Sequence, residues 1–571
     1  VGPDNARPEY PNPGLARPDW LSLNGLWSYT VRPRGEASPD GNGGVTATWE
    51  GQILVPYPVE SALSGVQRLI SATERLWYRR SFVLPQEWRK RRILLHFEAV
   101  DWQTQVWVNG MEVGSHEGGY DPFYFDITPA LKPGVKQEVT VAVWDPTDTG
   151  TQPRGKQVLK PGGIFYTPTT GIWGTVWLEP VPESRIKALR IIPDASRGTV
   201  TIACEVEKAN PQDRLSAAVK AESAIIASTE DAASTTLQLE IPSPRLWSPQ
   251  TPYLYDLEVR LLRGESVVDR VASYFGLRSI SVGADGAGVT RLLLNGSPLF
   301  QAGPLDQGFW PDGIYTAPTE EAMVYDLQIL KRMGFNMLRK HVKVEPRRFY
   351  YQCDRLGLLV WQDMPSGDRS IDPDEPDIER TPESARQYYL ELERMIANLF
   401  NHPSIVMWVP FNEGWGQFES GRVVTFIREL DPTRLVNQAS GWSERNGGDV
   451  VDWHRYPGPD APMPEPNRAA VLGEFGGLGL KVAGHMWTEK NWGYQAMNDL
   501  ADLHKRYEEL WARVWVLLDK PGLSAAVYTQ TTDVETEANG LMTYDRAVIK
   551  QDLTRAPLIH SGRMRPLPEV K

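Results

Sequence analysis

The sequence predicts a multidomain fold in three parts: an antiparallel β-sandwich over residues 1–182, an immunoglobulin-like β-sandwich over 183–283, and a (β/α)8 TIM barrel over 284–571. Three textures predict it. Up to Pro182, short runs alternating with period two are separated by Gly, Pro, Asn and Asp; from Glu183 to Gly283 a second set of short strands follows; after Leu292, apolar runs alternate with helical patterns. Period-two alternation fits sheets with one face on a core, whereas strands buried on both faces read as near-continuous apolar runs.

In the first part the runs RILLHFEAV, TQVWVNGMEVGSH and EVTVAVWD carry the alternation, and Asn109-Gly110 supplies the positive φ angles of a tight hairpin turn. In the second, IKALRIIP, TVTIACEVE, TTLQLEIP, LYDLEVRLL and VVDRVASYFGLRSI set the rhythm of an immunoglobulin-like sandwich. In the third, eight run-then-helix units are counted: PLFQAG, GFNMLRKH, GLLVWQDM, SIVMWVPFNE, LVNQASGW, VVDWHRY, AAVLGEFGG and LSAAVYTQTTD. They span residues 291–553, which matches the roughly 250 residues of a (β/α)8 barrel.

Composition narrows the function. The 571 residues carry a formal charge of −12, so a nucleic-acid partner is not expected, and the basic run Arg89–Arg92 reads as a solvated turn. No apolar run approaches the roughly 20 residues of a membrane helix, so no membrane partner is expected either. The first 20 residues hold no signal-peptide core; a removed leader would place the chain in a periplasmic or secreted setting. Cys204 and Cys353 fall in different parts, so neither a bridge nor a metal-ligand spacing is expected. The 21 Trp and 21 Tyr offer flat faces for stacking on sugar rings, although core packing accounts for most of them.

In a (β/α)8 barrel the chemistry sits where the strands end. Those ends are polar here: Asp306; Arg339 and His341; Asp363; Asn412 and Glu413; Trp442; His454 and Tyr456; Glu474; Gln530 and Asp533. Glu413 and Glu474 abut buried runs, where a carboxylate needs a partner or a shifted pKa. Two carboxyls facing one cavity have their pKa values driven apart, leaving one acid and one anion. Glycoside hydrolysis with retention requires such a pair. Either Glu alone could equally cap a helix; the pair, from strands four and seven on opposite sides of the ring, fits catalysis better.

These residues resemble glycoside hydrolase family 2, the β-galactosidase, β-glucuronidase and β-mannosidase group. LNGLWSY, LWYRRSF, VWVNGMEVGSHEGGYDPF and GIWGTVWLEP are similar to its jelly-roll sugar-binding domain; GFNMLRKH, CDRLGLLVWQDMP, NHPSIVMWVPFNEG and GEFG follow in family order. The resemblance implies Glu413 as acid/base and Glu474 as nucleophile, with Asn412 on the sugar 2-hydroxyl, Arg339 and Tyr456 beside the nucleophile, and His341 carried over to the sugar site; His454, placed by its strand end, is counted with the substrate-binding residues. Tyr528 stands where the family has a tryptophan flooring the sugar. Asp306, Gln307 and Trp310 follow strand one and could bind hydroxyls or stack.

The expected activity is a retaining exo-glycosidase acting on terminal β-linked glycosides, β-galactosidase-like. α-L-Arabinosidase, β-glucuronidase and β-mannosidase specificities are the alternatives, and a catalytically inactive carbohydrate-binding protein is the rival from another class. The family's Asn-x-Lys pair for uronates is not matched, since Lys481 follows Glu474 without that spacing. The expected partner is an oligosaccharide or other glycoside, and oligomers are allowed for. No cofactor is required and no catalytic metal is expected; bound Mg²⁺ or Ca²⁺ would be structural.

Overall fold

The computed structural model describes residues 1–36, 48–134, 136–233 and 235–563. Its first sandwich packs a six-stranded antiparallel sheet (Gly51–Val55, Gly25–Pro33, Glu74–Phe82, Gln137–Trp144, Gln103–Val108, Met111–Glu117, in spatial order) against a four-stranded one. Asn109 and Gly110 adopt φ of 52° and 84°, so the hairpin between Gln103–Val108 and Met111–Glu117 closes on the turn its sequence calls for. Inward residues Leu76, Tyr78, Val106, Val139 and Val141 form the core of this part.

The second sandwich has seven strands in sheets of three and four, from Arg185–Asp194 to Ser266–Phe275, around Ile202, Leu215, Val259 and Phe275. A small sheet, Ile280–Ala284, Thr290–Leu294 and Ser297–Pro298, follows; its Leu292 and Leu294 join the apolar cluster inside the barrel.

The barrel strands are β1 (Gln301–Asp306), β2 (Met337–Lys340), β3 (Leu359–Asp363), β4 (Ile405–Val409), β5 (Leu435–Val436), β6 (Val450–Arg455), β7 (Ala469–Gly476) and β8 (Ala525–Thr529). They pair in parallel in the order β5-β4-β3-β2-β1-β8-β7-β6, a ring open only between β5 and β6. Leu305, Met337, Leu359, Trp361, Met407, Val471 and Val527 fill the interior, and the intervening residues of these strands face the surrounding helices.

Helices α1 (Glu320–Arg332), α2 (Arg347–Leu356), α3 (Pro382–Leu399) and α4 (Ser420–Leu430) follow β1 to β4; α5 (Leu500–Asp519) and the short α6 (Ala556–His560) follow β7 and β8. Their starts are written locally: Thr319 and Thr381 accept from Ala322 N and Ser384 N as N-caps, and Asp499 caps α5. The expected eight strand-helix units are therefore too many. Among the described residues no helix follows β5 or β6, because those segments read SGWSERNGGD and PGPDAPMPEPN, and Gly and Pro do not sustain one. No helix among the described residues is long and apolar enough to cross a membrane. Cys204 and Cys353 are free thiols.

Candidate active site

Beyond β4, Glu413 adopts a left-handed φ of 51° and its N–H donates to Ser440 O at 2.8 Å. An L-residue holds that conformation only where its surroundings enforce it, and such positions gather at functional sites. Glu474 lies two residues before the end of β7, paired in register with His454 of β6. Gly473 before it is obligatory: a Cβ there would overlap the Asp452 carboxylate and the Ser440 hydroxyl. An oxygen of Glu413, a nitrogen of His454 and an oxygen of Glu474 lie within 4.8 Å of one another. Two carboxylates, one beyond β4 and one on β7, thus meet at a single place in the barrel mouth.

Arg339 is wholly buried at the end of β2 and organises the floor. Its guanidinium donates in a fork to Asp363 (3.0 and 2.8 Å), to Asn412 Oδ1 at 2.7 Å and to Glu474 Oε1 at 3.3 Å. Burial opposes its charge, but Asp363 and Glu474 outweigh it and the guanidinium stays protonated. With Oδ1 so engaged, the Asn412 amide is oriented, and its nitrogen is left buried without a partner among the described residues. That is a donor waiting for a ligand oxygen.

Tyr456 OH donates to Glu474 Oε2 at 2.6 Å and receives the Thr529 hydroxyl at 2.6 Å. Burial, then the Glu474 charge, keeps the phenol protonated. Burial also opposes ionisation of Glu474, yet the positive charge around it prevails and brings its pKa down to about 2. We assign that pull to His454, Arg339 and Lys156 rather than to His341. Burial, reinforced by Lys156, holds the His341 ring well below its usual range and therefore neutral. His341 Nδ1 lies 3.0 Å from Asp363 Oδ2, and its ring faces Trp415 at 6.0 Å.

His454 joins the two carboxylates. Nδ1 is 2.7 Å from Glu413 Oε1 and 3.6 Å from Glu474 Oε2; Nε2 is 2.7 Å from Ser440 Oγ, which donates to Asp452. Because that hydroxyl donates onward, it accepts from Nε2–H. Burial works against the imidazolium, but Glu474 and Glu413 overcome it and raise the pKa. Glu413, His454 and Glu474 are also the one His/Cys/Asp/Glu group among the described residues placed to hold a metal ion. A ring already donating at Nε2 and sharing its Nδ1 proton with Glu413 suits proton storage better than ligation.

Arg339, His341, Asn412, Glu413, His454, Tyr456 and Glu474 therefore converge, and two expected site residues do not. Tyr528 is buried in the layer between barrel and helices, its ring against Phe475 and Tyr507. Side chains alternate along β8: Val527 fills the barrel interior, so Tyr528 points outward and Thr529 faces the site. Asp306 is likewise turned away, because Leu305 points inward; Asp306 pairs with Lys340 at 3.1 Å, and Lys340 and Lys343 share Glu345 at 2.7 and 2.8 Å. Of its neighbours, Gln307 does reach the mouth, donating to Tyr166 OH and Gln530, while Trp310 lies under the Arg546 guanidinium.

Sequence reasoning missed the contribution of the first sandwich. Its loop 153–168 enters the barrel mouth: Tyr166 OH donates to Glu537, and Lys156 lies between the rings of Tyr166 and Trp415 at 5.6 and 5.7 Å. A Lys and a Tyr in a Pro/Gly-rich stretch outside any periodic run carried no signal of this.

Three family models match the chain in succession: glycosyl hydrolases family 2, sugar binding domain, over residues 21–167; glycosyl hydrolases family 2 over 184–278; and the family 2 TIM barrel domain over 310–457. A β-glucuronidase of Paenibacillus borealis is 27% identical over 464 residues, covering 75% of this chain and 74% of that protein. A β-galactosidase of Thermoanaerobacter pseudethanolicus is 28% identical over 358 residues, 59% of this chain and 44% of that one. The chain spans about a third, 34%, of a Formosa agariphila relative to which it is 29% identical. The crystal structure of a Ruminococcus gnavus β-glucuronidase superposes with a TM-score of 0.78 at 20% identity, covering 98% of this chain and all of that one, a likeness of fold. With the three models following one another across both sandwiches and the barrel, the chain belongs to glycosyl hydrolases family 2.

Proposed function

We propose that the chain is a retaining β-glycosidase working by double displacement. The observation that carries it is the approach of Glu413 and Glu474 to within 4.8 Å. Retaining enzymes hold their carboxyl groups about 5–5.5 Å apart, whereas inverting enzymes need a wider gap for a water.

In this reading Glu474, held anionic by Arg339, His454 and the Tyr456 hydroxyl, attacks the anomeric carbon. Glu413 gives its proton to the departing glycosidic oxygen, and the leaving group departs with the electron pair of the broken bond. The same Glu413 then takes a proton from the water that releases the sugar from Glu474. Asn412 Nδ2 addresses the sugar 2-hydroxyl, a contact that strengthens as positive charge gathers at the anomeric carbon. Carboxylates carry all of this chemistry, so no cofactor enters.

For the sugar itself, the expected β-galactoside and the alternative β-glucuronide both have a relative of that name. The test of the reaction is trapping with a 2-deoxy-2-fluoro aryl glycoside followed by peptide mapping. The label belongs on Glu474, and proton NMR of the first product formed should show the β-anomer. E413A should keep the attack step on a dinitrophenyl glycoside and lose it on alkyl glycosides. A label elsewhere, or an inverted first product, overturns the mechanism.

A further inference from the structure

We propose that Lys156, delivered by the first sandwich into the barrel mouth, is a specificity-determining residue that receives an anionic substituent, carboxylate or sulfate, on the glycone. The proposal rests on the glycosidase reading of the same pocket.

Lys156 is 5% exposed. Its loop is pinned on both sides. Arg154 and Gly155 N–H groups donate to Ser366 O at 2.7 and 2.9 Å, and the buried Gln157 donates to Asp101 at 2.8 Å and accepts from Thr169 N at 2.6 Å. Gly155, at φ 66°, passes so close to the barrel that a Cβ would meet Val342 O at 2.5 Å. The lysine is thus presented by a fixed backbone rather than by a mobile tip.

Its ammonium makes neither a hydrogen bond nor an ion pair among the described residues; its contacts are the faces of Tyr166 and Trp415. The other wholly buried lysines are all paired: Lys340 with Asp306 and Glu345, Lys343 with Glu345, Lys550 with Asp533. A largely buried charge without a counter-ion is costly, and two ring faces compensate it only in part. Trp415, one of the two rings it contacts, stands 6.0 Å from the His341 ring, and Tyr166, the other, reaches Glu537, so the ammonium sits at the barrel mouth beside the candidate site. Burial pushes its pKa down, against the pull of Glu537, Glu474 and Glu413. Glu537 forms no ion pair with it among the described residues; its two oxygens accept from Tyr166 OH and Asn539 instead.

A sugar hydroxyl would supply a dipole and leave that charge uncompensated; a carboxylate or sulfate would neutralise it. Lys481, the lysine that follows the nucleophile in sequence, is exposed and offers no such contact.

The test uses the full chain with 4-nitrophenyl β-D-glucuronide, β-D-galactoside and β-D-galactoside 6-sulfate, on wild type, K156M and K156R. Wild type should prefer one anionic substrate over the neutral one, and which one identifies the source of the charge. K156M should lower the anionic-to-neutral ratio of kcat/KM by about 100-fold, and K156R should keep most of it. An unchanged ratio in K156M overturns the assignment whatever the absolute rates. A chain that is labelled at Glu474 yet prefers neither anionic substrate overturns the Lys156 assignment alone. A chain that turns over none of the three and resists labelling sinks the glycosidase reading with it.

Discussion

Nδ1 of His454 lies 2.7 Å from Oε1 of Glu413, and the opposite ring nitrogen is tied through Ser440 to Asp452. Imidazole and carboxyl can therefore share one proton, the one that the proposed double displacement delivers to the glycosidic oxygen. The partners of His454 raise its pKa above the ordinary 6.5, so the shared proton is retained below that raised value and lost as pH climbs through it. H454N leaves Glu413 without its reservoir. The alkaline limb of the kcat/KM profile should move to lower pH, most visibly on substrates with poor leaving groups; a limb that stays put removes His454 from the proton path.

The acid limb should behave differently. Glu474 is depressed from 4.5 to about 2, so its anion persists below the ordinary carboxylate range and is lost only as pH falls toward about 2. Dinitrophenyl glycosides, whose departure needs no proton, isolate the attack step. Their kcat/KM should stay level from neutrality to near pH 4. An inflection at 4.5 or above would show an unassisted nucleophile.

Arg339 contacts Asp363, Asn412 and Glu474 through one planar fork, a geometry lysine cannot reproduce. R339K should lower kcat/KM by about 10²–10³-fold while the fold persists. R339M should in addition destabilise the chain by about 3–5 kcal/mol, since it strands the buried Asp363 charge. Steady-state kinetics beside denaturant unfolding separate the two effects. Near-wild-type rates in R339K would show that one positive charge, not the fork, is what matters.

Tyr528 offers a test of register. Facing Phe475 and Tyr507, it belongs to the outer core, so Y528F should keep KM and kcat, while Y528A should cost about 3–5 kcal/mol of stability. T529V, which removes the hydroxyl that donates to Tyr456, should change kinetics instead. A KM shift in Y528F would put the phenol back beneath the sugar.

Where the sequence was legible, a period or a turn made it so. Asn109-Gly110, the alternating sandwich strands and the apolar runs of the barrel each announce a backbone shape. The strand-end rule located Arg339, His341, Asn412, Glu413, His454, Tyr456 and Glu474, because in parallel barrels the end of a strand and the mouth of the site coincide. It failed for Asp306 and Tyr528, since a one-residue difference in phase along a strand decides between pocket and helix layer. Nothing local marks Lys156 or Tyr166: their relevance arises from a long-range docking of the first sandwich on the barrel, which no window of sequence encodes.

That docking ties the barrel mouth to the first sandwich. Tyr166 reaches Glu537 and Lys156 stands over the barrel mouth, so one wall of the candidate pocket is borrowed from a neighbour encoded more than a hundred residues upstream. An excised barrel would be a vessel with a side missing. If Lys156 reads the glycone as proposed, exchanging this sandwich would change substrate choice while Glu413 and Glu474 stayed with the barrel.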